Sequence, residues 1–188
     1  MKVIILDNFD SFTHNLMHYV EPHVERVDVF RNDSLDLDIV EEYDKVILSP
    51  GPGLPKEAGI LPDFLHRFWD EKPILGVCLG LQAIVEHAGG KLRNLPSVLH
   101  GVSSQTSIAI ANPLMKNLPS TFPTGHYHSW VAEEEMLPSS LEVLATNEDG
   151  FIMAVRHKER PIYGVQFHPE SIMTPHGKGI IENWIKHC

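Results

Sequence analysis

The chain has 188 residues, 43% of them hydrophobic and 21% charged, proportions that suit one domain with a full core and exclude a disordered or repetitive polypeptide. Its formal net charge is −10, and no basic cluster is longer than Lys91-Leu92-Arg93 or His157-Lys158-Glu159-Arg160, which argues against nucleic acid as a partner. The apolar run before Asp7 is only four residues long, too short for a secretory signal, and no apolar run of about 18 residues follows; no membrane association and a cytoplasmic location are expected.

In chain order, residues 3–7, 24–31, 45–49 and 74–78 are short β-branched runs, and residues 11–20 and 60–69 between them carry helical periodicity. Ser11 is the expected cap of the first helix, beside the acidic loop Asp7-Asn8-Phe9-Asp10. Beyond Gly89-Gly90 the texture changes: residues 98–110, 126–132, 141–146, 151–155 and 163–167 read as strands joined by short turns, and a last helix spans about 176–187. The pattern predicts a single domain over residues 1–188 of α/β class. Its three layers would hold a doubly wound, mostly parallel sheet with an added mixed or antiparallel portion.

Gly76-Val77-Cys78-Leu79-Gly80 joins an apolar strand to the helical run beginning at Gln82. Glycines two residues either side of a central nucleophile allow strand and helix to cross closely around a strained turn, the arrangement of the G-x-S-x-G elbow with sulfur in place of oxygen. The helix N-terminus behind Cys78 favours a thiolate and, later, an oxyanion. An inert cysteine in a tight core turn fits the same five residues. Cys78 and Cys188 make no disulfide framework, so Cys78 is expected to be a free thiol.

His168-Pro169-Glu170 ends another expected strand. In extended chain, residues i and i+2 share a face, so Glu170 can hold one ring nitrogen of His168 and leave the other for Cys78. A surface histidine beside a turn proline, with Ser171 capping a helix, is the plainer alternative. With Cys78 the pair makes a candidate Cys-His-Glu triad. The stiff loop Ser49-Pro50-Gly51-Pro52-Gly53 lacks a following Gly-Lys-Ser/Thr, and its prolines remove the N–H groups a phosphate nest would use. As a functional element it offers the Gly53 N–H as one oxyanion donor beside the Leu79 N–H; otherwise it is a rigid turn.

These segments, with Gln82, Tyr127-His128-Ser129 and Gln166-Phe167-His168-Pro169-Glu170-Ser171, resemble the triad-type (class I) glutamine amidotransferases across nearly the whole chain. The start, Leu6-Asp7-Asn8-Phe9-Asp10-Ser11-Phe12-Thr13, is similar to the glutaminase subunits of anthranilate synthase and aminodeoxychorismate synthase. The resemblance implies Cys78 as nucleophile, His168 as proton shuttle and Glu170 as its orienter. It further implies that Gly51, Pro52, Gly53, Gln82, Ser129 and Trp130 hold L-glutamine. It implies no cofactor or metal in this chain, and as partner a chorismate-using synthase subunit that would itself use Mg2+. Three positions depart from the family pattern: Leu81 stands where histidine is frequent, Val102 where lysine often follows His100-Gly101, and Trp130 where leucine usually follows Ser129.

Other readings compete. Twelve histidines, with His126 and His128 alternating on one strand face, could belong to a metal hydrolase, although no H-E-x-x-H or paired C-x-x-C fixes a metal site. A non-catalytic binder of the same fold and a stand-alone cysteine hydrolase of γ-glutamyl compounds complete the set.

Overall fold

Successive residues of the first strand belong to opposite cores. In the computed structural model, which describes residues 1–188, Ile4 and Leu6 pack into one apolar cluster, and Val3 and Ile5 into another. This alternation is what a strand covered on both faces requires. It recurs in the third strand, where Val46 and Leu48 face one way and Ile47 the other.

The principal elements are β1 (Lys2–Asp7), α1 (Thr13–Val20), β2 (Arg26–Arg31), β3 (Lys45–Leu48), α2 (Leu61–Phe68), β4 (Ile74–Val77), α3 (Leu79–His87), β5 (Leu92–Ile108), β6 (Thr121–Ala132), β7 (Leu141–Asn147), β8 (Ile152–His157), β9 (Ile162–Val165) and α4 (Gly177–His187). They build one nine-stranded sheet in the order β2-β1-β3-β4-β9-β8-β7-β5-β6. The first five strands of that order pair in parallel, and β9-β8-β7-β5-β6 pair antiparallel. This is the expected α/β architecture with its mixed portion.

One face is covered by α2, whose Leu61, Phe64, Leu65 and Phe68 follow helical spacing, and by α3. The other face carries α1 through Leu16 and Val20, and α4 through Ile180, Ile181, Trp184 and Ile185. Each large side chain fully buried in these layers contributes about 1.5–3 kcal/mol. No helix is long and apolar enough to cross a membrane.

Two local expectations are corrected. Ser11 does not cap α1: Phe12 occupies the cap position and no side chain caps it. The acidic loop stabilises this entry instead, with the Asp10 carboxylate accepting from the Phe12 N–H at 2.7 Å and Asp7 from the Thr13 hydroxyl at 2.8 Å. The hairpin β5–β6 is also longer than residues 98–110 and 126–132, beginning at Leu92 and Thr121. Most of β5 is solvent-exposed, so it lacks the apolar alternation that marks a half-buried strand, and its register shifts twice, near Pro96 and Gly101.

Candidate active site

Cys78 sits between the end of β4 and the start of α3 with φ 52° and ψ −100°, a conformation that costs an L-residue roughly 1–3 kcal/mol. Neighbours hold it there: its N–H donates to Val165 O on β9 at 2.8 Å, and its carbonyl accepts from the Gln82 N–H at 3.1 Å. The flanking glycines are required by contact. A Cβ on Gly76 would lie 2.4 Å from the Gly80 backbone, and one on Gly80 would lie 2.5 Å from Leu48 O. Leu79, as first residue of α3, has a backbone N–H without a partner in its helix.

His168 follows β9, its N–H donating to Gly125 O of β6 at 3.0 Å. Its Nδ1 lies 2.6 Å from Glu170 Oε1, the pairing expected from sequence, but the backbone is not extended. Residues 168–171 form a turn in which the Ser171 N–H donates to His168 O at 3.2 Å, and the Thr174 hydroxyl donates to the same oxygen at 2.7 Å. Pro169 sits where its fixed φ suits a turn. Burial opposes charge on His168, yet attraction by the nearby Cys78 sulfur and the hydrogen bond to and attraction by Glu170 outweigh it and raise its pKa to about 10. His168 Nε2 is buried on the side of the Cys78 thiol, outside hydrogen-bond geometry with it. Asp10 lies close enough to feel both His168 and Glu170, and burial raises its pKa.

Two cavities meet at Cys78. One, of about 180 Å3, is lined by Gly51, Pro52, Gly53, Gln82, Ser129 and Trp130 among others, so every residue the resemblance marks for glutamine shares one wall with the thiol. The other, of about 270 Å3, runs past His168 to Phe9, Asp10 and Phe12. The loop at residues 49–53 is anchored by a residue that sequence reasoning did not assign. Buried Asn8 donates its side-chain amide to Ser49 O at 2.9 Å and its N–H to Ser49 Oγ at 2.8 Å, and it accepts from Asn32 at 3.0 Å. Gly53, at φ 75°, completes the bend.

The departures from the family pattern fall into place. Leu81 is core, packed against Gly164 of β9, and Val102 is on the exposed part of β5. Trp130 is used through its carbonyl, which accepts from Gln82 Nε2 at 2.9 Å and from His128 Nδ1 at 3.1 Å.

Because that carbonyl can only accept, neutral His128 carries its proton on Nδ1, and its Nε2 accepts from His126 Nδ1 at 3.2 Å. His126 Nε2 in turn faces the hydroxyls of Ser104 and Thr124. Burial, reinforced by neighbouring histidines, lowers the pKa of His126 to about 4 and that of His128 to about 3. The alternation that suggested metal ligands therefore serves a neutral hydrogen-bond relay. No group of three or more His, Cys, Asp or Glu side chains is gathered to hold a metal ion. Gln166, noted in sequence only as part of a motif, is fully buried with Nε2 3.6 Å from Cys78 Sγ.

The profile of the family "Glutamine amidotransferase class-I" matches residues 4–188. Anthranilate synthase component 2 of Lactococcus lactis is 45% identical over 185 residues, covering 97% of this chain and 93% of the relative. Aminodeoxychorismate/anthranilate synthase component 2 of Bacillus subtilis is 41% identical over 186 residues, covering 98% and 95%. The bifunctional protein TrpGD of Thermotoga maritima is 43% identical over 98% of this chain, which spans only 32% of that longer protein. In fold alone, a crystal structure of a glutamine amidotransferase from Thermotoga maritima superposes with a TM-score of 0.82 at 15% identity, covering 99% of this chain and 96% of the other.

Proposed function

The chain belongs to the class-I glutamine amidotransferases, and from that premise we propose that it is the glutaminase subunit of a chorismate-using synthase, namely anthranilate synthase component II of tryptophan biosynthesis. The observation that carries this reading is the meeting of the strained Cys78 with the His168–Glu170 pair, between one cavity lined by the glutamine-binding candidates and a second that leads away. Similarity at 41–45% identity to component 2 proteins supports the pathway.

In this mechanism L-glutamine occupies the first cavity against Gly51, Pro52, Gly53, Gln82, Ser129 and Trp130. The Cys78 thiolate attacks the side-chain carboxamide carbon, and the N–H groups of Leu79 and Gly53 receive the oxyanion, each worth about 10²–10³ in rate. His168, held by Glu170, protonates the departing amine, so that ammonia leaves and a γ-glutamyl thioester remains. Water deprotonated by His168 then attacks the thioester, releasing glutamate and restoring the thiolate. No step calls for a cofactor in this chain; Mg2+ is assigned to the synthase. In neutral water ammonia is mostly protonated and non-nucleophilic, so a useful donor passes it through an enclosed space, and the second cavity offers its beginning. A cytoplasmic location fits a free, unpaired Cys78.

A second reading, the glutaminase subunit of aminodeoxychorismate synthase in folate biosynthesis, is favoured by the Bacillus subtilis relative, whose name covers both products. The test reconstitutes the chain with each synthase subunit and compares glutamine with ammonium as nitrogen source. Cys78→Ser is expected to abolish glutamine-dependent synthesis and leave ammonium-dependent synthesis intact, and the product identifies the pathway. Equal loss with both nitrogen sources would overturn the assignment.

A further inference from the structure

A fully buried glutamine beside a nucleophilic sulfur, at the end of an otherwise apolar strand, needs a reason. Gln166 follows Ile162–Val165 and precedes Phe167, where an apolar residue would pack without the cost of burying an amide. Its orientation follows from its neighbours. The Trp130 carbonyl can only accept, so the group Gln82 turns toward it at 2.9 Å is the NH2. The same NH2 has a second hydrogen, directed at the Gln166 amide at 3.4 Å, so Gln166 turns its oxygen to Gln82. Its own NH2 is thereby left facing Cys78 Sγ at 3.6 Å. His128, locked as the Nδ1–H tautomer, adds a second donor to the Trp130 carbonyl and stiffens the origin of the chain.

We propose that Gln166 is a catalytic residue of this site beyond the triad, donating an N–H to the Cys78 sulfur and held in the donating orientation by Gln82 and the Trp130 carbonyl. This rests on the glutaminase reading and deepens it. A thiolate is a far better acceptor than a thioether or thioester sulfur, so the contact is strongest when the sulfur carries charge. It favours the thiolate before attack and receives it again when the thioester breaks. Because Gln82 also lines the glutamine cavity, occupancy of that cavity and orientation of the amide on the sulfur share one side chain.

The experiment measures alkylation of Cys78 by iodoacetamide across pH in the purified protein, followed on the Cys78 peptide, with and without glutamine. At neutral pH, Gln166→Leu is expected to react about tenfold more slowly than the wild type, with the two rates converging at high pH. Gln82→Leu, which frees the amide to turn, is expected to slow the reaction by a smaller factor. Gln166→Glu keeps the shape and an acceptor for Gln82 but sets an oxygen against the sulfur. It is expected to slow alkylation at least as much as Gln166→Leu, and it decides the question if the leucine variant fails to fold. A wild-type pH profile in a folded Gln166 variant, while glutamine still protects Cys78, overturns the inference and leaves the glutaminase reading standing. Lack of glutamine protection in the wild type overturns that reading itself.

Discussion

Trp130 and His168 show two ways in which a residue's surroundings decide its use. At position 130 the carbonyl is engaged by Gln82 and His128, which explains how a bulky indole can stand where a smaller side chain is usual. At position 168 the side chain is everything, and its charge is set by a contest. Burial alone would lower its pKa, but Cys78 and Glu170 raise it from the ordinary 6.5 to about 10. A group whose folded pKa is raised stabilises the fold fully below its unfolded pKa, and that stabilisation is lost as pH rises through the folded value. Glu170→Gln removes one source of the shift. The gap in melting temperature between wild type and Glu170→Gln is therefore expected to be widest near pH 6 and to narrow steadily toward pH 10. Thermal melts across that range measure it, and a gap that widens with pH contradicts the assignment of charge to His168.

At the scale of elements, α4 ties the site to the frame, and its two ends do different work. At its start a Cβ on Gly177 would fall 1.7 Å from Pro169 O, so the helix touches the turn that aims Glu170. At its end Lys45 Nζ, reaching across from β3, donates to Trp184 O and Ile185 O at 3.0 Å and to Cys188 O at 2.6 Å, setting a cation against the negative end of the helix. Gly177→Ala is expected to lower stability by about 1–3 kcal/mol or more through overpacking, at about 2–4 °C per kcal/mol, and to depress kcat by displacing the turn. Lys45→Met is expected to cost about 1.5–3 kcal/mol and leave kcat unchanged below the melting range. Melting curves with steady-state kinetics separate the two; a kcat loss in Lys45→Met equal to that in Gly177→Ala would contradict the division.

These elements also mark how far the sequence was legible. Parallel strands and covering helices carry strong apolar periodicity, and the elbow glycines announce a close crossing, so the sheet and the triad candidates could be read directly. The solvent-exposed half of the hairpin has no such pattern. The turn around Pro169 brings His168 to Glu170 by a path that i and i+2 spacing alone did not describe. Gln166 could not be assigned a role, because the partner that orients it lies 84 residues away, and only the fold brings the two amides together.

For the whole molecule, the distribution of exposed apolar surface is the remaining clue. Of the seven large apolar side chains that are exposed, Phe9, Phe12, Val98 and Ile172 are grouped about the site rather than scattered singly. Phe9 and Phe12 line the second cavity beyond Cys78, and Val98 lines the first. Ile172, 95% exposed, follows directly on the Glu170 turn, whose Ser171 lies beside Gly125 and Tyr127. Phe9 and Phe12 stand at the opening through which ammonia would leave, the turn carrying Ile172 adjoins it through Ser171 and Tyr127, and a synthase seated there would bury them while sealing the second cavity from water. Ile172→Asp places a charge on that rim without touching the triad or the glutamine cavity. In the reconstituted complex it is expected to weaken association by roughly tenfold, in line with a charge buried unpaired at an interface. Glutamine-dependent synthesis at limiting subunit concentration should fall in proportion, with ammonium-dependent synthesis unchanged. Titration of the synthase subunit against wild type and variant, read by product formation from each nitrogen source, measures both effects. Equal titration curves would remove this rim from the contact and move the synthase to another face of the sheet.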